Sequence, residues 1–516
     1  MENGRLKILC DLIPTGDVEQ DKYIIPRILD ITKPIHDKNV KDIKRLFSYY
    51  YNKTDIAGKT KTQQSDINNK ISVDYPEIAV TTINAYCFAN PLTFSSRNSS
   101  TENQVKALND CIDDDNYSGK AMDMYLRSAI CGIGYRYIAP ATPEQIENGI
   151  YFETICDLDP EKTYCVYSND LKKEKICAVS FYNKKLYDAE LRQIRDVTIW
   201  NVWTKYHQWE FYRRGGVWTN SVFYNIEPNG ETIEYQAYPL PYRKIPVIEN
   251  IRKSDRTGDF ELALDLVNAI NALASARLDA VEQSVDYLIL LRDIDTESEG
   301  ALEKVKEAIK QGILSFKSIQ NAAVQPEISV LETKLNQAEV QTLQDFLGEK
   351  LEEVLNIPNR ETRSSGGDTG SAVESRNGFR SLENIAGLVT ASALKTENET
   401  LDVILAMCKN IASCPFKDLT TRDVEIKENR NKVENLTNAS NAYSVLRSAG
   451  LNDTDALIAT RIVSDPQSVA RKNKEEKEEN ANFEMQNLAQ QTANTSQNGT
   501  NDSANNNGSS SGNTDE

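Results

Sequence analysis

The chain has 516 residues and a formal net charge of −18, with nine Cys and two His. This length allows several hydrophobic cores, and the acidic balance excludes a protein that coats nucleic acid, because such proteins need clustered Lys and Arg. The Cys are odd in number and form no C-x-x-C pair, which indicates reduced thiols. We expect no signal peptide and no membrane span, because no apolar run reaches about 18 residues.

Three features that suggest catalytic or metal chemistry have simpler interpretations. His36 and His207 are far apart and fit no metal-ligand spacing, so each is expected to be a packing or surface residue. Gly58–Thr60 resembles part of a phosphate loop, but position 53, where that loop requires Gly, is Lys53. Asp113–Asp115 precede a predicted helix start, which favours a solvated turn over a metal site. We therefore expect no enzyme, no metal and no cofactor.

The first quarter of the chain is predicted to be helical. Apolar spacing predicts a helix from Lys38 to Tyr51, preceded by a poorly periodic segment and followed by a polar loop from Asn52 to Lys70. Further helices are predicted from about Pro76 to Phe88 and from Tyr117 to Cys131.

From Gly134 the hydrophobic period changes to two, which indicates antiparallel strands. Short stretches rich in Tyr, Trp and β-branched residues are separated by turn signals. They are Tyr135–Ile138, Thr163–Tyr167, Ile176–Tyr182, Val197–Trp203, Trp209–Tyr212 and Val217–Tyr224. All four Trp lie here, and we expect them to be core residues in preference to platforms for stacking bases.

A long helix is predicted from Asp259 to Leu291, about 50 Å in length. One face is apolar and carries Leu262, Leu266, Ile270 and Leu273. Another face is acidic and carries Asp265, Asp279, Glu282 and Asp286. An amphipathic helix of this length needs neighbours, either from its own chain or from copies of the chain.

A mixed piece from Arg292 to Ile328 separates this helix from a second long one, predicted from Thr333 to Leu355. The mixed piece is expected to hold a helix from Ala301 to Gln311 and strands near Ile313–Phe316 and Ile328–Leu331. The apolar face of the second long helix includes Leu343, Phe346 and Leu347.

The remaining chain begins with a loop, Asn359–Ser371, that is rich in Ser and Gly. The elements predicted after it are a long helix from Ser371 towards Ile411 with kink points at Gly378 and Gly387, a strand at Val424–Lys427, helices at Val433–Ser448 and Thr454–Val463, and a charged helix after Pro466. Residues 485–516 are polar and predicted to be disordered.

The order of these parts resembles the portal proteins of tailed double-stranded-DNA bacteriophages, and most closely the siphophage branch. The stretches that carry the resemblance are Ile71–Tyr75 with the helix through Asn84–Tyr86 to Pro91, Ala129–Tyr135, Lys244–Ile248 with the long helix, Ser364–Ser371, and Ala439–Leu446 through Pro466. The chain departs from the family pattern at Asn90, where Gly is frequent, and at Gly367–Asp368 in the loop.

The resemblance implies an α+β, mainly helical, ring-forming fold. In this numbering it implies an N-terminal helical segment and loop (1–70), a β-rich wing (71–258), a first stem helix (259–291), a small α/β clip (292–332), a second stem helix (333–357), a tunnel loop (358–371), a long kinked helix with a wing return strand (372–432), a helical crown (433–484) and a disordered tail (485–516).

The resemblance also implies roles for particular residues. The DNA-facing tunnel loop would comprise Arg360, Arg363, Ser364, Ser365, Gly366, Gly367, Asp368 and Thr369. The acidic face, Asp265, Asp279, Glu282 and Asp286, would line the lumen. Subunits would pack through Leu262, Leu266, Ile270, Leu273, Leu343, Phe346 and Leu347.

The implied function is a channel for DNA packaging and ejection at one capsid vertex of the virion, made in the host cytoplasm. The implied partners are other copies in a dodecameric ring, double-stranded DNA without sequence preference, the large terminase motor, a head-completion adaptor, and the major capsid and scaffolding proteins. Two alternatives remain open at this point: another ring- or shell-forming virion protein, and an enzyme that processes nucleic acid.

Overall fold

The structure, a computed structural model, describes residues 4–61, 66–188, 193–226, 232–285, 288–292, 303, 327–331, 337–358, 379–428, 430, 436–460, 462–463 and 466–498. Within these residues the fold is α+β with helices predominating, 52% helix against 19% strand.

Most strands lie between Ile133 and Ile251, and most helices lie before or after that region. The helices are α1 (Val18–Tyr50), α2 (Tyr75–Phe88), α3 (Glu102–Asp114), α4 (Tyr117–Cys131), α5 (Pro143–Glu147), α6 (Leu264–Val285), α7 (Gln337–Leu355), α8 (Phe379–Cys408), α9 (Leu436–Ser448), α10 (Asp453–Thr460) and α11 (Pro466–Asn498). The strands are β1 (Ile8–Cys10), β2 (Thr93–Ser96), β3 (Ile133–Pro140), β4 (Phe152–Ile155), β5 (Thr163–Ser168), β6 (Lys175–Asp188), β7 (Gln193–Trp203), β8 (His207–Arg214), β9 (Val217–Asn220), β10 (Phe223–Ile226), β11 (Thr232–Tyr235), β12 (Tyr238–Pro239), β13 (Val247–Ile251), β14 (Leu288–Arg292), β15 (Glu327–Leu331) and β16 (Val424–Lys427).

The largest sheet has the order β1-β5-β6-β7-β8-β12, with β9 also paired to β8. Its pairs are antiparallel except for β1, which runs parallel to β5. The predicted strands of this region are confirmed, although the last stretch divides into β9 and β10, which belong to different ladders. Trp200, Trp203 and Trp209 are buried, as the core interpretation predicted.

A three-stranded sheet, β13-β3-β4, connects the β-rich part to the helices. Helices α4 and α8 both pack against the face of this sheet that carries Arg136 and Asn250. Helix α4 ends as predicted at Cys131, because Gly132 follows with a φ of 83°, a conformation that L residues rarely adopt.

Helix α1 begins at Val18, so the predicted start at Lys38 is wrong by about 20 residues, or roughly five to six helical turns. Pro26 and Pro34 lie inside the helix. Prolines usually end a helix, but the face of α1 that holds Ile25, Ile28 and Leu29 is fully buried against the large sheet. This tertiary burial outweighs the lost backbone hydrogen bonds. Helix α3 was not predicted at all.

The predicted helix from Asp259 to Leu291 is shorter in the structure. Helix α6 starts at Leu264, after one turn of 3₁₀-helix at Glu261–Ala263, and ends at Val285. The apolar run that follows forms β14, which pairs with β15 in an antiparallel ladder. A short continuous apolar run fits a helix or a strand equally well, so spacing alone misassigned it.

Between β14 and β15 the predicted helix at Ala301–Gln311 and the strand near Ile313–Phe316 lie outside the described residues, while the strand at Ile328–Leu331 is confirmed. Helix α8 runs without interruption through Gly387. Helix α11 continues to Asn498, so the prediction of disorder is wrong for residues 485–498.

Candidate functional site

The two helices α6 and α7 were the centre of the predicted site, and they pack against each other. Arg277 of α6 donates to the side-chain oxygens of Gln341 and Gln344 of α7, at 2.6 and 2.9 Å. Ile270 is only 4% exposed and belongs to a core cluster of its own chain that includes Leu351. The helices therefore bury one apolar face within the subunit.

The other predicted packing residues are not covered to the same degree. Leu262 is 58% exposed, Leu343 is 48% exposed and Phe346 is 52% exposed. The remaining members of the set, Leu266, Leu273 and Leu347, are half-buried. On α7 the exposed apolar positions follow helical spacing, because Leu343, Phe346 and Val354 lie on one face. The single subunit thus leaves an apolar face uncovered.

The predicted acidic face of α6 is divided. Asp265 and Glu282 are exposed, whereas Asp286 lies outside the described residues. Asp279 is 4% exposed, because residues 54–61 and 66–73 of the same chain cover this side of the helix. We call these two segments the brace.

Asp279 is neutralised within its own subunit. Lys59 donates to its Oδ2 at 2.7 Å, and the backbone N–H of Asn69 donates to its Oδ1 at 2.7 Å. Burial alone would raise the pKa of Asp279, but these hydrogen bonds hold the pKa well below its usual range. The side chain does not present a free carboxylate, so its predicted place on the lumen wall needs correction. Lys59, which suggested a phosphate loop, has this carboxylate as its partner.

The predicted tunnel-loop residues cannot be placed in the fold. Arg360, Arg363, Ser364, Ser365, Gly366, Gly367, Asp368 and Thr369 all lie outside the described residues. The described chain stops at Pro358, shortly after α7, and resumes at Phe379, where α8 begins. Residues 359–378 therefore connect α7 to α8 along the chain.

Sequence reasoning missed a buried ion pair that fixes α8. Arg136 of β3 and Glu397 of α8 are fully buried, and two N–H···O contacts of 2.9 Å join them. The hydroxyl groups of Tyr117 and Tyr125 also donate to the Glu397 carboxylate. Burial alone would lower the pKa of Arg136, but the Glu397 charge overrides this effect and raises the pKa well above its usual value. Arg136 lies between Tyr135 and Tyr137 in a predicted strand, and nothing in this local pattern marks it as a member of a buried ion pair.

In the described part of the chain, no group of three or more His, Cys, Asp or Glu side chains is arranged to hold a metal ion. Asp113 and Asp114 are exposed, but Asp115 is not in a solvated turn, because its carboxylate accepts from the backbone N–H of Thr154 at 3.2 Å and pairs with Lys120.

Among the helices that the structure describes, none is both long and apolar enough to cross a membrane.

Comparison with known proteins identifies the family of the chain. The family model described as "Phage portal protein, SPP1 Gp6-like" matches residues 29–482. The portal protein of Clostridium phage phiCD119 is 22% identical over 269 residues, which cover 48% of this chain and 54% of that protein. The portal protein of Bacillus phage SPP1 is 20% identical over 311 residues, which cover 56% of this chain and 59% of that protein. The chain thus spans somewhat over half the length of these relatives. Because the family model covers most of the sequence, the chain belongs to the SPP1 Gp6-like family of phage portal proteins.

Proposed function

We propose that this chain is the subunit of a portal ring at one capsid vertex, the channel through which double-stranded DNA enters and leaves the head. The observation that carries the proposal, beside the family match, is the uncovered apolar face of α7 with Leu343, Phe346 and Val354. Burying side chains of this size contributes roughly 1.5–3 kcal/mol each, so a neighbouring subunit on this face would stabilise the assembly.

Ring closure explains why such a face is tolerated. A head-to-tail contact repeated around an axis uses two different surfaces of each subunit and leaves neither one open. We propose twelve subunits, as the resemblance implies.

The charge of the chain suits a channel that DNA passes without binding. Twelve subunits of −18 each carry −216 formal charges. An acidic wall makes few phosphate contacts, whereas a basic wall would bind DNA and stall it. In the proposal Asp265 and Glu282 of α6 face the channel, and Arg360 and Arg363 of the loop between α7 and α8 touch phosphates transiently.

The proposal assigns the segments as follows. The wing comprises 71–258, the stem is formed by α6 and α7, the clip by 292–332, the tunnel loop by 358–371 and the crown by 433–484. The clip would dock the large terminase motor and the head-completion adaptor, and the outer surface would contact the major capsid and scaffolding proteins.

Electron microscopy of the purified full-length protein tests the proposal. We expect rings with an axial hole, and their rotational symmetry gives the subunit number. Phe346→Asp places a charge on the uncovered face and should abolish rings, whereas Leu171→Asp, at a fully exposed turn, should leave them intact. Sheets, shells or tubes would instead identify another class of virion protein, and rings formed by Phe346→Asp would remove α7 from the interface.

A further inference from the structure

The brace contacts α6 through a regular set of hydrogen bonds. Three of its backbone N–H groups donate to α6 side chains: Val73 to Asn271 at 2.9 Å, Ile71 to Ser275 at 2.9 Å, and Asn69 to Asp279 at 2.7 Å. Alternate residues of the brace thus meet every fourth residue of the helix, and the two run in opposite directions.

This register follows from backbone dimensions. Two residues of an extended chain advance about 6.6 Å, while four residues of an α-helix advance about 6.0 Å. The two spacings match closely enough for three successive pairs. Side chains of α6 therefore satisfy N–H groups that a neighbouring strand would normally satisfy. This role explains why Asn271, Ser275 and Asp279 recur at intervals of four.

The two ends of the brace are held by different forces. At one end Val73 packs against the core cluster that contains Ile270. At the other end the contact is ionic, because Asp279 Oδ2 lies 2.7 Å from Lys59 Nζ and 3.5 Å from Lys61 Nζ. Apolar burial resists opening, whereas the two Lys side chains are about a quarter exposed, so salt screens their attraction to the buried Asp279 carboxylate in part. The Asp279 end is therefore the first to open.

We propose that Asp279 is the positioning residue of the stem, a latch that holds the brace on α6 and opens before the subunit unfolds. With the latch closed, the brace fixes the direction of the C-terminal half of α6. With the latch open, only α7 holds that half, through Arg277, and its direction can change, which is how neighbouring subunits would adjust the width of the channel. The latch is a property of the single subunit, while its effect on the channel rests on the proposed portal function.

Amide hydrogen exchange on the full-length protein tests the latch. Asp279→Asn keeps one carbonyl acceptor but removes the charge, so we expect exchange at residues 66–73 to become about tenfold faster, the size expected for the loss of a hydrogen bond to a charged group. The matched control is Asp265→Asn, which removes an exposed charge from the same helix and should change nothing in the brace. Raising NaCl should accelerate the same amides in the unsubstituted protein and much less in Asp279→Asn.

Three exchange results would overturn the latch: unchanged exchange in Asp279→Asn, an equal effect in Asp265→Asn, or faster exchange throughout the subunit, which would mean a general loss of stability. Images of rings separate this proposal from the portal function. If the unsubstituted protein forms no rings, the portal function fails and the exchange result alone decides the latch. If Asp279→Asn forms rings in which α6 keeps its direction and the brace its place, the latch is wrong even though the portal function holds.

Discussion

The sharpest prediction concerns the buried pair that joins α8 to β3. Glu397→Ala removes the carboxylate that accepts both guanidinium contacts of Arg136, each 2.9 Å long. Arg136 would then remain charged and fully buried, because a guanidinium group stays protonated at neutral pH even without a partner. Leaving one member of a buried pair without its partner costs about 3–5 kcal/mol. We expect the free energy of unfolding to fall by that amount.

Two comparisons isolate the charge effect from the cavity that the substitution creates. The double variant Arg136→Met with Glu397→Leu replaces the pair by apolar groups and should be more stable than Glu397→Ala alone, because no charge is stranded. Asp402→Ala breaks a pair of the same helix, with Lys244, in which both partners are about half exposed. It should cost under about 1 kcal/mol, because water screens such a pair.

Urea unfolding followed by circular dichroism measures all three variants. The reasoning would be refuted by a loss in Glu397→Ala no larger than that in Asp402→Ala. It would also be refuted if the double variant were less stable than the single one, since the cost would then come from lost packing instead of a stranded charge.

Two further predictions concern the loop and the pH dependence of stability. Arg360→Ala with Arg363→Ala should leave rings intact but change the amount of DNA packaged or retained in heads, and unaltered packaging would exclude the loop from the mechanism. His36 is buried, and burial lowers its pKa from 6.5 to about 4. The unfolded chain therefore takes up a proton as pH falls below 6.5 while the folded one does not until about pH 4, so stability should decrease over that window by about 3 kcal/mol. His36→Gln should flatten the dependence in urea unfolding measured at a series of pH values, and an unchanged slope would contradict the assignment.

The sequence correctly predicted those elements whose capping residues and hydrophobic spacing are not overridden by tertiary packing. Helix α4 ends where Gly132 follows, and the β-rich region alternates strictly enough for its strands to be recognised. Helix α1 was missed because Pro26 and Pro34 are local stop signals that only the packed sheet overrides. The Arg136–Glu397 pair joins residues 261 positions apart, and no local pattern marks two charges that will meet in a core.

The faces of α6 show a second reason why the sequence pattern alone did not predict the structure. The hydrophobic spacing correctly assigned Leu262 and Asp279 to different faces of the helix. It does not show which of these faces packs against the rest of the same subunit. We expected the polar face to be the exposed one. In the structure the brace is polar, so it covers the polar face, while Leu262 remains exposed. Within the portal proposal this reverses part of the electrostatic argument. A carboxylate that already holds Lys59 and lies near Lys61 adds no repulsion to a channel wall. The acidic character of the stem must then come from exposed groups such as Asp265 and Glu282, and total net charge overstates the repulsion that passing DNA would meet.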